Sequence, residues 1–309
     1  MARTVQDAPV LAASVLVGTV LALSFGDALV RKMGLSADIQ MSLWQIFLLR
    51  SGMAMAVLIA VAVWRGAVQD LRPDRWTLLR SGMLVAMWLL YYAALLHLPF
   101  SVGAAAYYTL PLFILVFSAV LTKDRIGGLG VSGVVLGFLG VLVITDPRNG
   151  INLWIILPLW AAMLYALSMI LTRTRCGDAS VLRLAFWLNA VFVVVGTLGV
   201  LVLPDGPRGL WQMTWVPMTA AMWGSIGISA AAILIGSLGT AYAYQRASGP
   251  LLGTFDFSYL AFAVLWGWLL FDERINGQTA LGIGLIVAAG ALALASQKRT
   301  AGPAQASEA

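Results

Sequence analysis

Long apolar runs, interrupted at short intervals by charged residues or by Pro and Gly, dominate this chain. A helix needs about 20 apolar residues to cross the hydrocarbon core of a bilayer. Ten runs approach or exceed that length; they lie at about 9–30, 41–64, 76–98, 101–122, 128–146, 152–172, 181–203, 219–245, 250–271 and 279–296. Hydrophobic residues make up 61% of the 309 positions and charged residues only 10%, too few to cover a soluble globule. The sequence therefore predicts an all-α polytopic membrane protein with ten transmembrane helices.

The short links between these runs exclude several classes of function. They leave no room for a soluble nucleotide-hydrolysing domain, and no ATP motif occurs. The single Cys176 and the single His97 argue against a disulfide and against a histidine-cluster metal site. A GxGxxG match at 128–133 opens a membrane helix and follows no strand, so it does not indicate dinucleotide binding. We expect no cofactor, no metal and no enzymatic activity, because no nucleophile, base and acid converge.

The basic residues predict the orientation of the chain in the membrane. The formal net charge is +6, but most Lys and Arg residues lie at the ends of the apolar runs, which favours a membrane over a nucleic acid as partner. Of the 19 basic residues, thirteen fall on the side of the termini and five on the other side, while Arg50 lies inside a run. The positive-inside rule then predicts that both termini are cytoplasmic, in a bacterial-type inner membrane.

The chain also matches itself at an offset of 149 residues. Residues 123–126 (KDRI) align with 272–275 (DERI), and Gly128 and Gly133 align with Gly277 and Gly282. We expect one five-helix repeat at 1–148, a second at 149–297 and a disordered cytoplasmic tail at 298–309. Because five is odd, the second repeat enters the membrane inverted. Inverted repeats are typical of secondary transporters, with the substrate site near the midplane between the halves.

These features resemble the EamA-type branch of the drug/metabolite transporter superfamily. The resemblance covers about residues 9–297. It depends on the acidic-Arg turns at 123–125 and 272–274, on Gly133 and Gly282 in the last helix of each half, and on Arg50. Asp124 stands where the family usually has Glu. Within the branch, the aromatic-rich interior is most similar to the YddG-type amino-acid exporters, whose substrates include aromatic amino acids. The resemblance implies that the last helix of each half is peripheral and that the other eight surround a cavity.

Ionisable residues inside the apolar runs are candidates for function, since they are costly in a membrane and usually face a cavity or a partner. Their depths suggest two opposite-charge pairs, Asp27 with Arg50 on the outer side and Asp256 with Arg246 on the inner side. We expect Arg50 and Asp256 to bind the carboxylate and the ammonium of an amino acid, and Asp27 and Arg246 to act as gates. The alternative for Asp27 and Arg246 is simple solvation at the membrane interface.

Aromatic and polar residues within the runs are candidates for the wall of the cavity. The aromatic candidates are Trp88, Tyr92, Tyr108, Trp160, Tyr165 and Tyr259, and the polar ones are Asn189 and Ser229. The alternative for the aromatic residues is an aromatic belt at the membrane interface. An aromatic wall would suit an apolar side chain, or a flat cation through cation–π contacts.

The sequence thus predicts a secondary exporter of small organic metabolites, most simply aromatic or apolar amino acids, that works by alternating access. The alternative is a multidrug or quaternary-cation exporter with the same aromatic wall and Asp256 as counter-charge. The expected partners are a small-molecule substrate and the lipid bilayer, and the apolar outer surface is compatible with a monomer.

Overall fold

A computed structural model describes residues 9–35, 40–122, 128–145, 152–203, 215–246, 255 and 258–301. Within these ranges the chain forms eleven α-helices. They are α1 (Pro9–Leu35), α2 (Leu43–Trp64), α3 (Arg75–Leu95), α4 (Phe100–Tyr107), α5 (Leu110–Thr122), α6 (Gly128–Thr145), α7 (Ile156–Arg175), α8 (Val181–Val202), α9 (Ala220–Arg246), α10 (Ser258–Phe271) and α11 (Gly277–Ala301). Short 3₁₀ turns at Val68–Leu71 and Leu153–Ile155 precede α3 and α7. The expected all-helical class is confirmed for the described part of the chain.

Side-chain oxygens cap several of these helices at their first turn, where backbone N–H groups lack partners inside the helix. Ser42 accepts a hydrogen bond from the Gln45 amide at 3.2 Å before α2. Asp74 and Ser180 make the same kind of contact before α3 and α8. These caps explain why the helices begin close to the polar residues that flank the apolar runs.

Six helices in the described ranges are long and apolar enough to cross a membrane. They include segments Ser14–Leu35, Leu43–Trp64, Arg75–Leu95, Leu153–Thr172, Val181–Val202 and Ala220–Tyr244. Shorter apolar helical segments lie at Phe100–Ile114, Val131–Val143, Ser258–Phe271 and Gly277–Leu292. Each overlaps an apolar run in the sequence. The chain is therefore a membrane protein with several spanning helices.

The fourth apolar run, expected as one helix over 101–122, is divided in the structure. α4 ends at Tyr107, α5 begins at Leu110, and a turn separates them. Pro111 lacks the N–H that would bond to the carbonyl four residues earlier, which weakens a helix at this point. The Thr109 hydroxyl bonds to the Ala106 carbonyl at 2.8 Å and stabilises the turn. The break leaves Tyr107 and Tyr108 at the end of a short helix in the interior.

The packing order of the helices determines where the interior lies. The most extensive interface joins α6 to α11, followed by α2 with α8, α1 with α9 and α3 with α7. α1 also packs on α10, and α5 on α7. Glycines allow the closest crossing: a Cβ atom on Gly196 would lie 2.8 Å from the Leu48 backbone nitrogen, so α8 and α2 touch backbone to backbone there. The remaining space lies between α1, α3, α4, α7, α8, α9 and α10.

Candidate functional site

A cavity lies between these seven helices and is lined mainly by aromatic and aliphatic side chains. Its aromatic residues are Trp88 from α3, Tyr107 and Tyr108 at the end of α4, Tyr165 from α7 and Tyr259 from α10. Val20 and Leu23 of α1 and Ile233, Gly236 and Thr240 of α9 complete much of the wall. The volume open to the centre of a water molecule is about 60 Å³, room for a few waters. A larger ligand therefore requires the side chains to move apart.

The aromatic rings of the wall pack against one another in a continuous arrangement. Tyr108 stacks on Tyr259, with ring centroids 4.9 Å apart. Tyr107 meets Tyr165 edge-on at 5.9 Å, and Trp88 stacks on Tyr92 at 5.3 Å. Four of the residues expected on the wall, Trp88, Tyr108, Tyr165 and Tyr259, therefore lie there. Tyr92 lies directly behind the Trp88 ring, outside the lining.

A hydrogen-bonded layer centred on Asp27 adjoins the cavity, because its member Tyr259 also lines the cavity wall. The Tyr92 hydroxyl donates to one Asp27 carboxylate oxygen at 2.9 Å, and the Tyr259 hydroxyl donates to the other at 2.6 Å. The Tyr91 and Tyr259 hydroxyls are 3.3 Å apart. Asp27 is 2% exposed and all three tyrosines are buried. We call Asp27, Tyr91, Tyr92 and Tyr259 the tyrosine–aspartate layer.

Arg50 contacts this layer from α2. Its Nη1 donates to the Tyr92 hydroxyl at 3.2 Å, so Arg50 reaches Asp27 through Tyr92. The guanidinium lies over the rings of Phe47 and Phe192, 5.2 and 5.1 Å from their centroids. The pairing of Arg50 with Asp27 that depth suggested is thus indirect. Arg50 is buried beside the cavity but is not part of its lining.

An ion pair lies beyond the layer, farther from the cavity. Arg31 Nη1 is 2.6 Å from a Glu273 carboxylate oxygen, and the guanidinium lies 4.2 Å above the centre of the Phe271 ring. Glu273 also accepts hydrogen bonds from the backbone amides of Phe100 and Ser101, at 2.7 and 3.2 Å, at the start of α4. We call this contact the Arg31–Glu273 lock. The cavity, the layer and the lock follow one another along the same side of α1.

Three further residues expected at the site lie elsewhere in the structure. Trp160 is 52% exposed and is not among the residues that line this cavity, so its role in substrate binding stays a prediction. Its place outside the lining has a geometric reason: Trp160 and Tyr165 are five residues apart, or about 140° around a helix of 3.6 residues per turn. Asn189 and Ser229 are fully buried but adjoin the lining rather than form it.

Asp256 lies outside the described residues, and so does the side chain of Arg246 at the end of α9. Their pairing on the inner side therefore stays a prediction.

The structure adds one charged residue to the wall that the sequence did not indicate. Arg80 is 3% exposed, lines the cavity and donates from Nε to the Thr172 hydroxyl at 2.7 Å. In the sequence it lies near the start of an apolar run, where basic residues usually face the interface. The turn spacing of Arg80, Leu84 and Trp88, each four residues apart, could have indicated one shared face of α3.

Comparison with known proteins finds a family match in the first half of the chain. Residues 10–146 match the EamA-like transporter family. The match begins at the start of α1 and ends just after α6.

Individual relatives cover most of the chain at low identity. A riboflavin transporter of Vibrio cholerae is 27% identical over 270 residues, covering 84% of this chain and 86% of the relative. A pseudopaline exporter of Pseudomonas aeruginosa is 24% identical over 225 residues, covering 72% and 75%. A solved crystal structure superposes with a TM-score of 0.66 at 18% identity, over 94% of this chain and 98% of the other. That similarity shows a shared fold.

Proposed function

We propose that this chain, whose residues 10–146 match the EamA-like transporter family, belongs to that family of the drug/metabolite transporter superfamily. It exports small organic metabolites, most simply aromatic or apolar amino acids, by alternating access. It is a small-molecule transporter of this superfamily, not an enzyme. The observation that carries the proposed substrate is the aromatic cavity between α1, α3, α4, α7, α8, α9 and α10, which adjoins the tyrosine–aspartate layer at Tyr259.

The proposed architecture is ten membrane spans in two inverted halves, 1–148 and 149–297, followed by a tail. The helix packing supports it, because exchanging equivalent helices of the two halves reproduces the observed neighbours. α1 packs on α9 as α7 packs on α3, and α2 and α6 each pack on their own counterparts, α8 and α11. The family match, which ends at residue 146, agrees with a boundary at 148. Motion of one half against the other would alternate access.

The proposed orientation places both termini in the cytoplasm of a bacterial-type inner membrane. The start of α3, the end of α7 and the start of α8 then face the cytoplasm, with Arg75, Arg175 and Arg183 near their ends. This is the end of the bundle nearer to Arg80 and the cavity. The Arg31–Glu273 lock lies at the opposite, external end. In this assignment the structure is a state closed to the outside.

The tyrosine–aspartate layer is the proposed moving barrier. Asp27 and Tyr92 belong to the first half and Tyr259 to the second, so one carboxylate joins both halves across the transport path. Substrate that separates the rings of Tyr108 and Tyr259 would disturb the Tyr259 contact to Asp27. Arg50 contributes through Tyr92, and Asp256 stays the proposed partner for the substrate ammonium. No cofactor takes part in this proposal.

A second candidate substrate is a planar heteroaromatic solute such as riboflavin. The riboflavin transporter of Vibrio cholerae is among the relatives, and the stacked pair of Tyr108 and Tyr259 offers flat surfaces of the kind that such a ring system contacts. Riboflavin carries no carboxylate, which separates the two candidates in a competition experiment.

The test is exchange of labelled tryptophan in proteoliposomes, with unlabelled amino acids, riboflavin and cationic dyes as competitors. We expect amino acids to compete and Arg50→Ala to abolish exchange while membrane insertion is preserved. Exchange of labelled riboflavin without exchange of tryptophan would support the second candidate, and exchange of a labelled cationic dye alone would support a drug exporter. Normal exchange by a well-folded Arg50→Ala protein would overturn the role of Arg50.

A further inference from the structure

Arg80 is a charged side chain in an apolar wall, and its hydrogen bonds are incomplete. Its Nη1 atom is buried and has no hydrogen-bond partner among the described residues. A guanidinium offers five N–H donors, and a buried donor without a partner carries the cost of lost hydration. The described ion pairs are Arg31–Glu273 and Arg183–Asp74, and Arg80 belongs to neither. The cavity wall therefore contains a cation that has no carboxylate partner among the described residues.

Thr172 fixes the direction of the Arg80 guanidinium. The Thr172 hydroxyl donates to the Ser168 carbonyl at 2.7 Å, within α7, so its oxygen lone pair is available to accept from Arg80 Nε at 2.7 Å. The Nε edge is thereby held against α7. Nη1 is left as a donor for a ligand in the cavity.

The wall residues around Arg80 suit a ligand in which an acidic group is attached to an aromatic ring. Trp88, Tyr165 and Tyr107 line the same cavity as Arg80. An arginine fork binds a carboxylate through two parallel hydrogen bonds, and an apolar surrounding strengthens such bonds. A bare organic cation would meet repulsion at this position.

We propose that Arg80 is the anion-binding residue of the cavity and that the transported solute carries a carboxylate next to an aromatic or apolar group. The inference rests on the proposed transport function and narrows its substrate class. It assigns the carboxylate to Arg80 of α3, whereas Arg50 acts through Tyr92 on the closed layer.

Three indole compounds separate the charges of the ligand. Tryptophan has a carboxylate and an ammonium, indole-3-propionate has only the carboxylate, and tryptamine has only the ammonium. Equilibrium binding of each is measured on the purified full chain in nanodiscs. Arg80→Gln should lower the affinity for tryptophan and for indole-3-propionate by about 10- to 100-fold, because a charge-assisted hydrogen bond is lost. Tryptamine meets repulsion from Arg80, so its binding to Arg80→Gln should be as tight as to the wild type or tighter.

Matched variants keep the test interpretable. Arg80→Lys retains the charge without the fork and should lose less binding than Arg80→Gln. Thr172→Val removes the hydroxyl that positions Arg80. It should weaken the binding of tryptophan and indole-3-propionate, the two carboxylate ligands, but not that of tryptamine. Arg72→Gln removes an exposed arginine before α3 and should have no effect. Equal losses for all three indoles, or full carboxylate binding by folded Arg80→Gln, would overturn the proposal.

Two further measurements separate this inference from the amino-acid proposal. Benzoate should raise the unfolding temperature of the wild type more than that of Arg80→Gln. If benzoate stabilises the wild type more than Arg80→Gln but tryptophan does not bind, the anion site at Arg80 is supported and amino acids are excluded as substrates. If benzoate raises both unfolding temperatures equally, Arg80 is not the anion site, even if tryptophan is transported. Rescue of Arg80→Gln binding by Asp256→Asn would indicate an internal ion pair and would also overturn the proposal.

Discussion

Arg31 and Glu273 form an ion pair of 2.6 Å although 242 residues separate them in the chain. The same carboxylate accepts hydrogen bonds from the first amides of α4, where the helix dipole also favours a negative charge. One side chain after α10 thus joins α1 and α4. Both charged side chains are largely buried, at 12% and 14% exposed, so the contact is less screened than a surface pair.

Removing the charge of Glu273 should open the external end of the bundle. Charge-assisted hydrogen bonds contribute about 1.5–3 kcal/mol each, so losing them shifts an opening equilibrium by about 10- to 100-fold. The measurement is the rate at which a water-soluble maleimide labels Leu98→Cys, in a background where the buried Cys176 is replaced by Ser. Leu98 is 4% exposed beside the lock. Glu273→Gln should accelerate labelling.

Arg274→Gln is the control, because it removes the neighbouring charge from an exposed side chain. The same labelling rate in Glu273→Gln and in the parent would mean that the lock does not hold this end closed.

Asp27→Asn should impair transport without preventing folding. Asparagine presents one acceptor and one donor group, so it no longer matches two tyrosine hydroxyls that both donate. We expect the rate of tryptophan exchange to fall by about tenfold or more. A tenfold change corresponds to about 1.4 kcal/mol in the free energy of the motion between the two halves. Asp178→Asn makes the same change at an exposed position and should leave exchange unaltered. Unchanged exchange in Asp27→Asn would remove Asp27 from the proposed barrier.

A methyl group on Gly196 should weaken the packing of α8 on α2. The added Cβ would lie 2.8 Å from the Leu48 nitrogen and 2.9 Å from the Trp44 oxygen, both backbone atoms that cannot rotate away. Overpacking of this kind costs about 1–3 kcal/mol, visible as a lower unfolding temperature in detergent. Gly224→Ala, also within a helix, meets nothing within 4 Å and should be neutral or more stable by about 0.5–1 kcal/mol. Equal stability of the two variants would contradict the close crossing.

The cap of α3 should stabilise the protein in a pH-dependent way. Burial alone would raise the pKa of Asp74, but hydrogen bonds from Thr77 and Trp76 and the nearby Arg183 outweigh it, so the pKa lies below its ordinary 3.8. A lowered folded pKa means that the contribution is present above the unfolded pKa and is lost as pH falls through the folded value. Asp74→Ala should therefore cost about 1 kcal/mol near pH 7 and less in acid.

Ser42→Ala removes an uncharged cap from α2 and provides the comparison for this pH dependence. Its cost, read from unfolding temperatures across the same pH series, should not vary. A constant cost for Asp74→Ala as well would show that the charge of Asp74 is not what stabilises α3.

The helices could be located from the sequence because apolar length is a local property. Each described helix overlaps an apolar run, and the break at Tyr108 and Thr109 lies next to Pro111. Depth along the runs also brought Asp27 and Arg50 to the same level. It could not show that Tyr92 lies between them, because that depends on the rotation of α1, α2 and α3 about their axes.

The remaining differences also arise from helix rotation and from distant partners. Arg80 looked like an interfacial residue because its distance from the helix end does not reveal which face it occupies. Trp160 and Tyr165 looked equivalent in depth, yet they point to different sides of α7. The repeat identified Glu273 as part of a recurring turn, but its partner Arg31 lies in a different half of the chain, and only the packing of α1 near α10 brings the two together.

α1 is one uninterrupted helix from Pro9 to Leu35, and Val20, Asp27 and Arg31 follow each other along it. The first lines the cavity, the second receives both tyrosines and the third holds Glu273. A helix is stiff over the length of about 16 Å from Val20 to Arg31. A movement of α1 at any one of these three contacts therefore displaces the other two. A solute that tilts α1 at Val20 would strain the lock about three turns away. Occupancy on one side of the membrane would then loosen the seal on the other without any contact between solute and seal.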